Sequence, residues 1–253
     1  VANAAYQRGY LNLGFESPQI ATVGNACRAY LSNTRVPGWL TTHPFYQEEK
    51  VDNCLSSLSV GGSGQIIEMW SGPRTIGGGG TGNISAREGN QFVELNAQYI
   101  SELSQNICLV NGEQVSWKFS HNGRNAASDT MTLRAGIQKI ATVSTNTTGD
   151  GGVSQCNSGT CGVSSKVSNN RWADYNGTFT YTGATGQTPM GFQSTSGSGT
   201  SGNFLDAIQI AVKPIIEFSS ASYAVPENGG AVQPLKVIVV GDVPSGGISL
   251  AFN

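Results

Sequence analysis

An all-β sandwich is the fold class this sequence predicts, on three observations. Only 12% of its 253 residues are charged, about half the usual ~25%, so the Lys- and Glu-rich stretches that favour helices are scarce. Glycine is abundant, at 34 residues, and falls with Ser, Asn and Thr in short clusters that read as turns. Between the clusters run segments in which apolar and polar side chains alternate, the period of a half-buried strand.

Taken in order, Tyr10 to Ser17 reads as an opening strand that ends at Pro18, and Val36-Pro37-Gly38-Trp39 as a turn followed by an aromatic anchor. Gln65 to Trp70 is a strand, and Gly77 to Gly82 is a glycine-rich surface loop. In Gln91 to Asn96, Val93 and Leu95 face one way and Phe92, Glu94 and Asn96 the other. Asn111-Gly112 turns into Gln114 to His121, where Val115, Trp117, Phe119 and His121 share a face opposite Ser116, Lys118 and Ser120. Thr130 to Ala135 and Gln138 to Thr145 form a hairpin, and Thr145 to Lys166 reads as a low-complexity loop. Trp172 to Thr182 reads as a further strand pair, and Met190 to Ser194 and Gly202 to Val212 complete the set, with no convincing helix. Trp39, Trp70, Trp117 and Trp172 argue for a packed core.

Charge excludes other classes. A formal net charge of −2 leaves no basic footprint for nucleic acid. The apolar runs are too short to insert in a bilayer, and the chain opens without a basic and apolar leader, so any signal peptide is expected to have been removed already. The five cysteines lack the paired spacing of a zinc site. Cys156 and Cys161 flank a flexible Asn-Ser-Gly-Thr and can close a small disulfide of about 2 kcal/mol. Cys27 and Cys54 bracket a polar excursion and can form a second, while Cys108 sits in an apolar run and reads as a buried free thiol. The pattern points to an oxidising, extracellular location.

Composition shifts after Lys213-Pro214, dividing the chain into residues 1–213 and an incomplete second unit, 214–253. Six ordered blocks carry a resemblance. They are Asn12 to Glu16, Val36 to Trp39, Ile67 to Trp70, Gly89 to Asn96, Trp117 to Arg124 and Gly202 to Asp206. Together they resemble the galactose-binding-like jelly-roll domains of secreted bacterial surface proteins, relatives of carbohydrate-binding modules. The tail, through Phe218 to Gly230, resembles the start of a Calx-beta domain, a repeated β-sandwich of adhesins.

The resemblance implies two sites. Glu16 and Asp206 match positions that hold a structural calcium ion in such modules, with Ala207 standing where relatives often carry another acid. Two carboxylates from opposite chain ends, joined by a hard cation, would staple the sandwich; otherwise each is a hydrogen-bonded or solvated carboxylate. The polar set Glu68, Trp70, Glu94, Asn96, His121, Arg124 and Asp129 is implied to gather on one face. It combines an aromatic plate for the C–H face of a sugar with carboxylate, amide and guanidinium partners for its hydroxyls. Trp70→Ala or Arg124→Ala is then expected to weaken binding and spare the fold. The competing view makes Trp70 core and pairs Arg124 with Asp129 across the turn Gly123 to Ser128.

No nucleophile elbow or His-Glu-x-x-His motif is present, and Glu68 with Glu94 as a glycosidase pair would need a separation that sequence does not supply. The expected function is therefore a non-catalytic binding module of a secreted or cell-surface adhesin. It would hold glycans or glycosylated surfaces with calcium in place, alongside further domains of a larger surface protein. The alternatives are a structural spacer or surface-layer domain, and an ancillary domain of a secreted degradative enzyme.

Overall fold

The computed structural model describes residues 7–22, 24–52, 58–75, 83–124, 128–196, 200–219, 227, 236–241 and 245–249. Two antiparallel sheets, with strands numbered in chain order, carry the architecture. The larger has the order β14 (Gly159–Lys166), β15 (Trp172–Thr180), β10 (Gln114–Asn122), β17 (Phe204–Ala211), β8 (Gln91–Glu94), β5 (Ser63–Ser71), β1 (Cys27–Ser32) and β4 (Lys50–Asp52), with β3 (Tyr46–Glu48) alongside β5. The smaller has the order β13 (Gly151–Cys156), β12 (Gln138–Thr145), β11 (Asp129–Ala135), β16 (Gly186–Ser194), β9 (Glu102–Leu109) and β2 (Leu40–Thr41). The all-β sandwich expected from the sequence is present. A four-residue helix, α1 (Val167–Asn170), and one 3-10 turn, Asn33–Arg35, are the helical elements among the described residues.

Alternation builds the core. Ala29 and Leu31 of β1, Ile67 and Met69 of β5, Val93 of β8, and Val115, Trp117 and Phe119 of β10 point inward. They meet Leu103, Ile107, Leu133, Val143 and Phe192 of the smaller sheet. Trp39 anchors this layer, stacked on Phe15 at 4.8 Å with its indole N–H on the Asn12 carbonyl. A second apolar cluster lies on the outer face of the larger sheet. It comprises Trp70, Phe92, Trp172 and Phe204, and Ile84 of the short β6–β7 hairpin (Arg74–Thr75, Asn83–Ile84) packs against it.

Three sequence expectations are corrected. Tyr10 to Ser17 is not a strand: Asn12 and Phe15 adopt positive φ (51° and 56°), and the Asn12 amide closes a loop on the Ser17 backbone at 2.6 and 2.9 Å. Asn tolerates the left-handed region because its short amide can bond locally. The low-complexity stretch within 145–166 is instead two strands, β13 and β14, which turn the corner from the smaller sheet into the larger. Their side chains are mostly exposed, so no apolar alternation announces them. Trp172 to Thr182 contributes one strand and not a pair.

The disulfide Cys156–Cys161 spans that corner. Cys27 is disulfide-bonded; Cys54, its expected partner, and Gly77 to Gly82 lie outside the described residues. Cys108 is a buried free thiol, as expected. In the tail, β18 (Ile215–Phe218) pairs with β19 (Val237–Val240), while most of Phe218 to Gly230 lies outside the described residues. The buried Arg8 ties the tail's start to the sandwich: its guanidinium pairs with Glu113 at 2.9 Å and donates to the Cys108 and Lys213 carbonyls. No helix among the described residues is long and apolar enough to cross a membrane.

Candidate functional site: a polar row across the outer face of the larger sheet

Strand register converts the alternation into a line of side chains. On β5, Glu68 and Trp70 point away from the core because Ile67 and Met69 point into it. Glu68 lies opposite Tyr30 on one side and Glu94 on the other. Glu94 faces Phe204, Phe204 faces Asn122, and Tyr30 faces Lys50. The row Lys50–Tyr30–Glu68–Glu94–Phe204–Asn122 thus crosses six strands, a span of roughly 24 Å at the usual strand spacing. Beside it, Trp70 lies opposite Arg28 and Phe92.

Arg124, two residues beyond β10, reaches back over the row. Its Nη1 donates to both oxygens of Glu94, at 2.9 and 2.8 Å, and to the Thr200 carbonyl at 3.0 Å. The Gly202 N–H adds a third hydrogen bond to Glu94, at Oε1, at 2.8 Å. Arg124 and Arg28 both lie against the Trp70 ring, 5.2 and 5.7 Å from its centroid, so cations occupy the indole. The Trp70 indole N–H donates to Glu68 Oε1 at 3.1 Å. Arg28 pairs with Asp52 and lies 3.7 Å from Glu68.

Electrostatics follow from burial. Glu68 is 1% exposed and Glu94 fully buried. Burial, and then the facing Glu94 charge, push Glu68 well above the usual carboxylate range. Burial also lifts Glu94, to about 7, against the pull of Arg124 and the Gly202 N–H. Two facing carboxyls without solvent cannot both ionise easily. Glu68 is the more strongly raised of the two, because Arg124 Nη1 donates to both oxygens of Glu94.

Several groups here have unused hydrogen-bonding capacity. Arg28 Nε, Glu68 Oε2, Arg124 Nε and both amide atoms of Asn122 are buried without a hydrogen-bond partner among the described residues. Solvent reaches the row at Arg28 and Arg124, whose side chains are 21% and 13% exposed.

Of the polar set expected from the sequence, the structure brings together Glu68, Trp70, Glu94 and Arg124. Asn96 sits on the same side beyond β8 and donates to the Ser196 and Ser201 carbonyls. A side chain at Gly202 would collide with its amide. Two members depart from the implied single face. His121 points into the sandwich, bonded to Thr145 Oγ1 and Asn203 Oδ1 at 2.7 Å each, because it shares the inward alternation of Trp117 and Phe119. Burial pushes its pKa down to about 4. Asp129 opens β11 of the other sheet and accepts the Arg124 backbone N–H at 2.7 Å; the Arg124 guanidinium pairs with Glu94 instead. Trp70 is 2% exposed and packed in the second cluster, so it is no open plate. Arg28, Tyr30 and Asn122 were missed, although Arg28 and Tyr30 alternate with Cys27, Ala29 and Leu31, and Asn122 continues the Ser116–Lys118–Ser120 face.

Glu16 and Asp206 meet at one turn. Asp206 Oδ2 accepts the N–H groups of Arg87 and Glu88 at 2.7 and 3.1 Å, and Glu16 Oε1 those of Asn90 and Gln91 at 2.8 and 2.9 Å. Gly89, between them, has φ +61°, and a Cβ there would strike the Glu16 carboxylate. Burial, together with the nearby Glu16 charge, lifts Asp206 to about 8. Asp206 Oδ1 accepts the Ala207 N–H at 2.7 Å, so both of its oxygens face donors and a cation bound between Asp206 and Glu16 would have to share them. Among the described residues no group of three or more His, Cys, Asp or Glu surrounds it, so the remaining oxygens would have to come from other donors.

No family model matches the chain, and no curated protein matches it. Among solved structures, the xylan-binding domain CBM22-1 of Xyn10C from Paenibacillus barcinonensis is similar over 75% of this chain and 96% of that one, at 13% identity and a TM-score of 0.31. A likeness of that size carries no inference about ligand.

Proposed function

We propose that the chain is a non-catalytic carbohydrate-binding module of a secreted or cell-surface protein, with the outer-face row as its recognition site. One observation carries this: on one patch of one sheet face, atoms of four side chains are buried without a hydrogen-bond partner among the described residues. Native interiors pair nearly all such groups, and a sugar's hydroxyls both donate and accept. The set offers donors at Arg28 and Arg124, an acceptor at Glu68 and both at Asn122. Catalysis does not suit the row: Glu94 is clasped by Arg124, and neither glutamate is open to an attacking position.

In an adhesin, such a module would hold a glycan or glycosylated surface weakly at one site and gain avidity through repeated display. The tail would begin a Calx-beta-like stalk repeat. A structural-spacer role is favoured by a different observation, the near-complete burial of Glu68, Trp70 and Glu94. A glycan array on the purified chain separates the two: the binding role predicts a defined class of positive glycans, and a blank array supports the spacer.

Calcium at Glu16 and Asp206 belongs to the same proposal, as a structural ion. Millimolar calcium is expected to raise the melting temperature by several degrees relative to chelator, and Asp206→Asn is expected to abolish that rise. Equal melting temperatures with calcium and with chelator would remove the ion.

A further inference from the structure

Two chain crossings meet at one end of the sandwich. Between β2 and β3 the chain passes from the smaller sheet to the larger, and between β8 and β9 it passes back. The crossings are tied together: the Thr42 N–H donates to the Glu102 carbonyl at 3.1 Å, and the Glu102 N–H to Thr42 Oγ1 at 2.9 Å. Each crossing carries an exposed aromatic ring, Phe45 at 53% and Tyr99 at 41%. Their centroids are 4.9 Å apart and their planes are inclined at 63°, so the two rings form an angled corner. Tyr46, next in the chain, does not belong to it. It lies opposite Gln65, which shares the inward alternation of Ile67 and Met69.

The corner is preformed. His43 is fully buried, with its ring 5.3 Å from that of Tyr99 and its Nδ1 bonded to the Phe45 carbonyl at 2.8 Å. The Gln65 amide donates to the His43 carbonyl at 2.9 Å, and the Tyr99 N–H closes a turn on the Asn96 carbonyl at 2.6 Å. Rings held this way lose little freedom when something binds them. The corner also borders the polar row. Ala97, two residues before Tyr99, packs with Tyr30 and Ile66. Tyr30 lies opposite Glu68, and Ile66 shares the strand face of Glu68, roughly 7 Å away.

We infer that Phe45 and Tyr99 form the stacking surface of the glycan site, for a β-linked pyranose such as glucose or galactose. The inference rests on the carbohydrate-binding reading of the row and supplies what the row lacks, because Trp70 is buried beneath two guanidinium groups. One face of such a ring carries an uninterrupted set of axial C–H groups, slightly positive, which suits the negative face of an aromatic ring. An α-linkage puts an oxygen on that face. Hydroxyls further along the same sugar chain then reach the row.

Affinity electrophoresis of the full chain in gels containing hydroxyethyl cellulose, β-galactan or dextran tests this. At least one of the two β-linked polysaccharides is expected to retard the chain, and the α-linked dextran is not. Phe45→Ala and Tyr99→Ala are each expected to weaken that retardation about tenfold in apparent affinity, with an unchanged urea midpoint because both side chains are exposed. Tyr99→Phe, which keeps the ring, is expected to preserve it. Undiminished retardation of a Phe45→Ala, Tyr99→Ala double variant, or equal retardation by dextran, overturns the stacking surface and leaves the row standing. So does a positive glycan array with no retardation by either β-linked polysaccharide. Dimerisation in sedimentation that Phe45→Ala abolishes would make the corner a contact between copies and also overturn it. A blank array overturns the corner and the row together.

Discussion

Trp70→Ala is expected to lower the unfolding free energy by about 3–5 kcal/mol, the cost of emptying a packed aromatic site. Trp70 lies 5.2 Å from Phe204 and 6.1 Å from Phe92, and Phe92 in turn carries Trp172 at 5.7 Å. Removing the indole opens that outer cluster, takes the N–H from Glu68 and leaves both guanidinium groups without their ring. The substitution that sequence alone treats as a clean binding probe is therefore a fold probe. Urea unfolding measures it; a loss under 1 kcal/mol would mean that the outer cluster does not bear on stability.

Arg124→Ala is the second large effect, and it depends on pH. Removing one partner of a buried pair leaves the other charge uncompensated, at about 3–5 kcal/mol. Glu94 has a raised native pKa of about 7 against roughly 4.3 unfolded. The folded state therefore binds more protons between those values. Stability from this group is fully present below about pH 4 and is lost as pH rises through about 7. Without Arg124 the carboxyl holds its proton to still higher pH, so the penalty of the substitution grows above neutrality. Arg124→Ala is expected to cost visibly more at pH 8 than at pH 5.5, and Glu94→Gln in the same chain is expected to recover much of the difference. His121, neutral and buried in both proteins, contributes equally and cancels. A penalty that is the same at both pH values would place the Glu94 charge elsewhere than on Arg124.

Much of the fold could be read from side-chain alternation. The grouping of Val93 against Glu94, and of Trp117 against Lys118, on opposite strand faces matches the structure because successive side chains of a strand alternate. β13 and β14 could not be read, since they sit at an exposed corner and draw their order from pairing with β12 and β15. The site was half legible. Glu68, Trp70, Glu94 and Arg124 stood out as residue types, but their partners Arg28 and Tyr30 come from a strand far back in the chain. Only the β1–β5 register places them beside Glu68. The burial of Trp70 was also invisible, because the residues that cover it belong to the β6–β7 hairpin and to β15 and β17. His121 was read onto the correct strand face, and that face turned out to be the interior.

Asn122 offers the most direct test of the recognition row. Both of its amide atoms are buried without a hydrogen-bond partner among the described residues, so Asn122→Ala removes an unsatisfied group and is expected to leave stability unchanged or slightly improved. If the row exists to meet sugar hydroxyls, the same substitution will weaken binding of an array-positive glycan by at least tenfold in titration calorimetry. A variant that unfolds at the wild-type urea concentration and binds the glycan with undiminished affinity would contradict the row as the binding site.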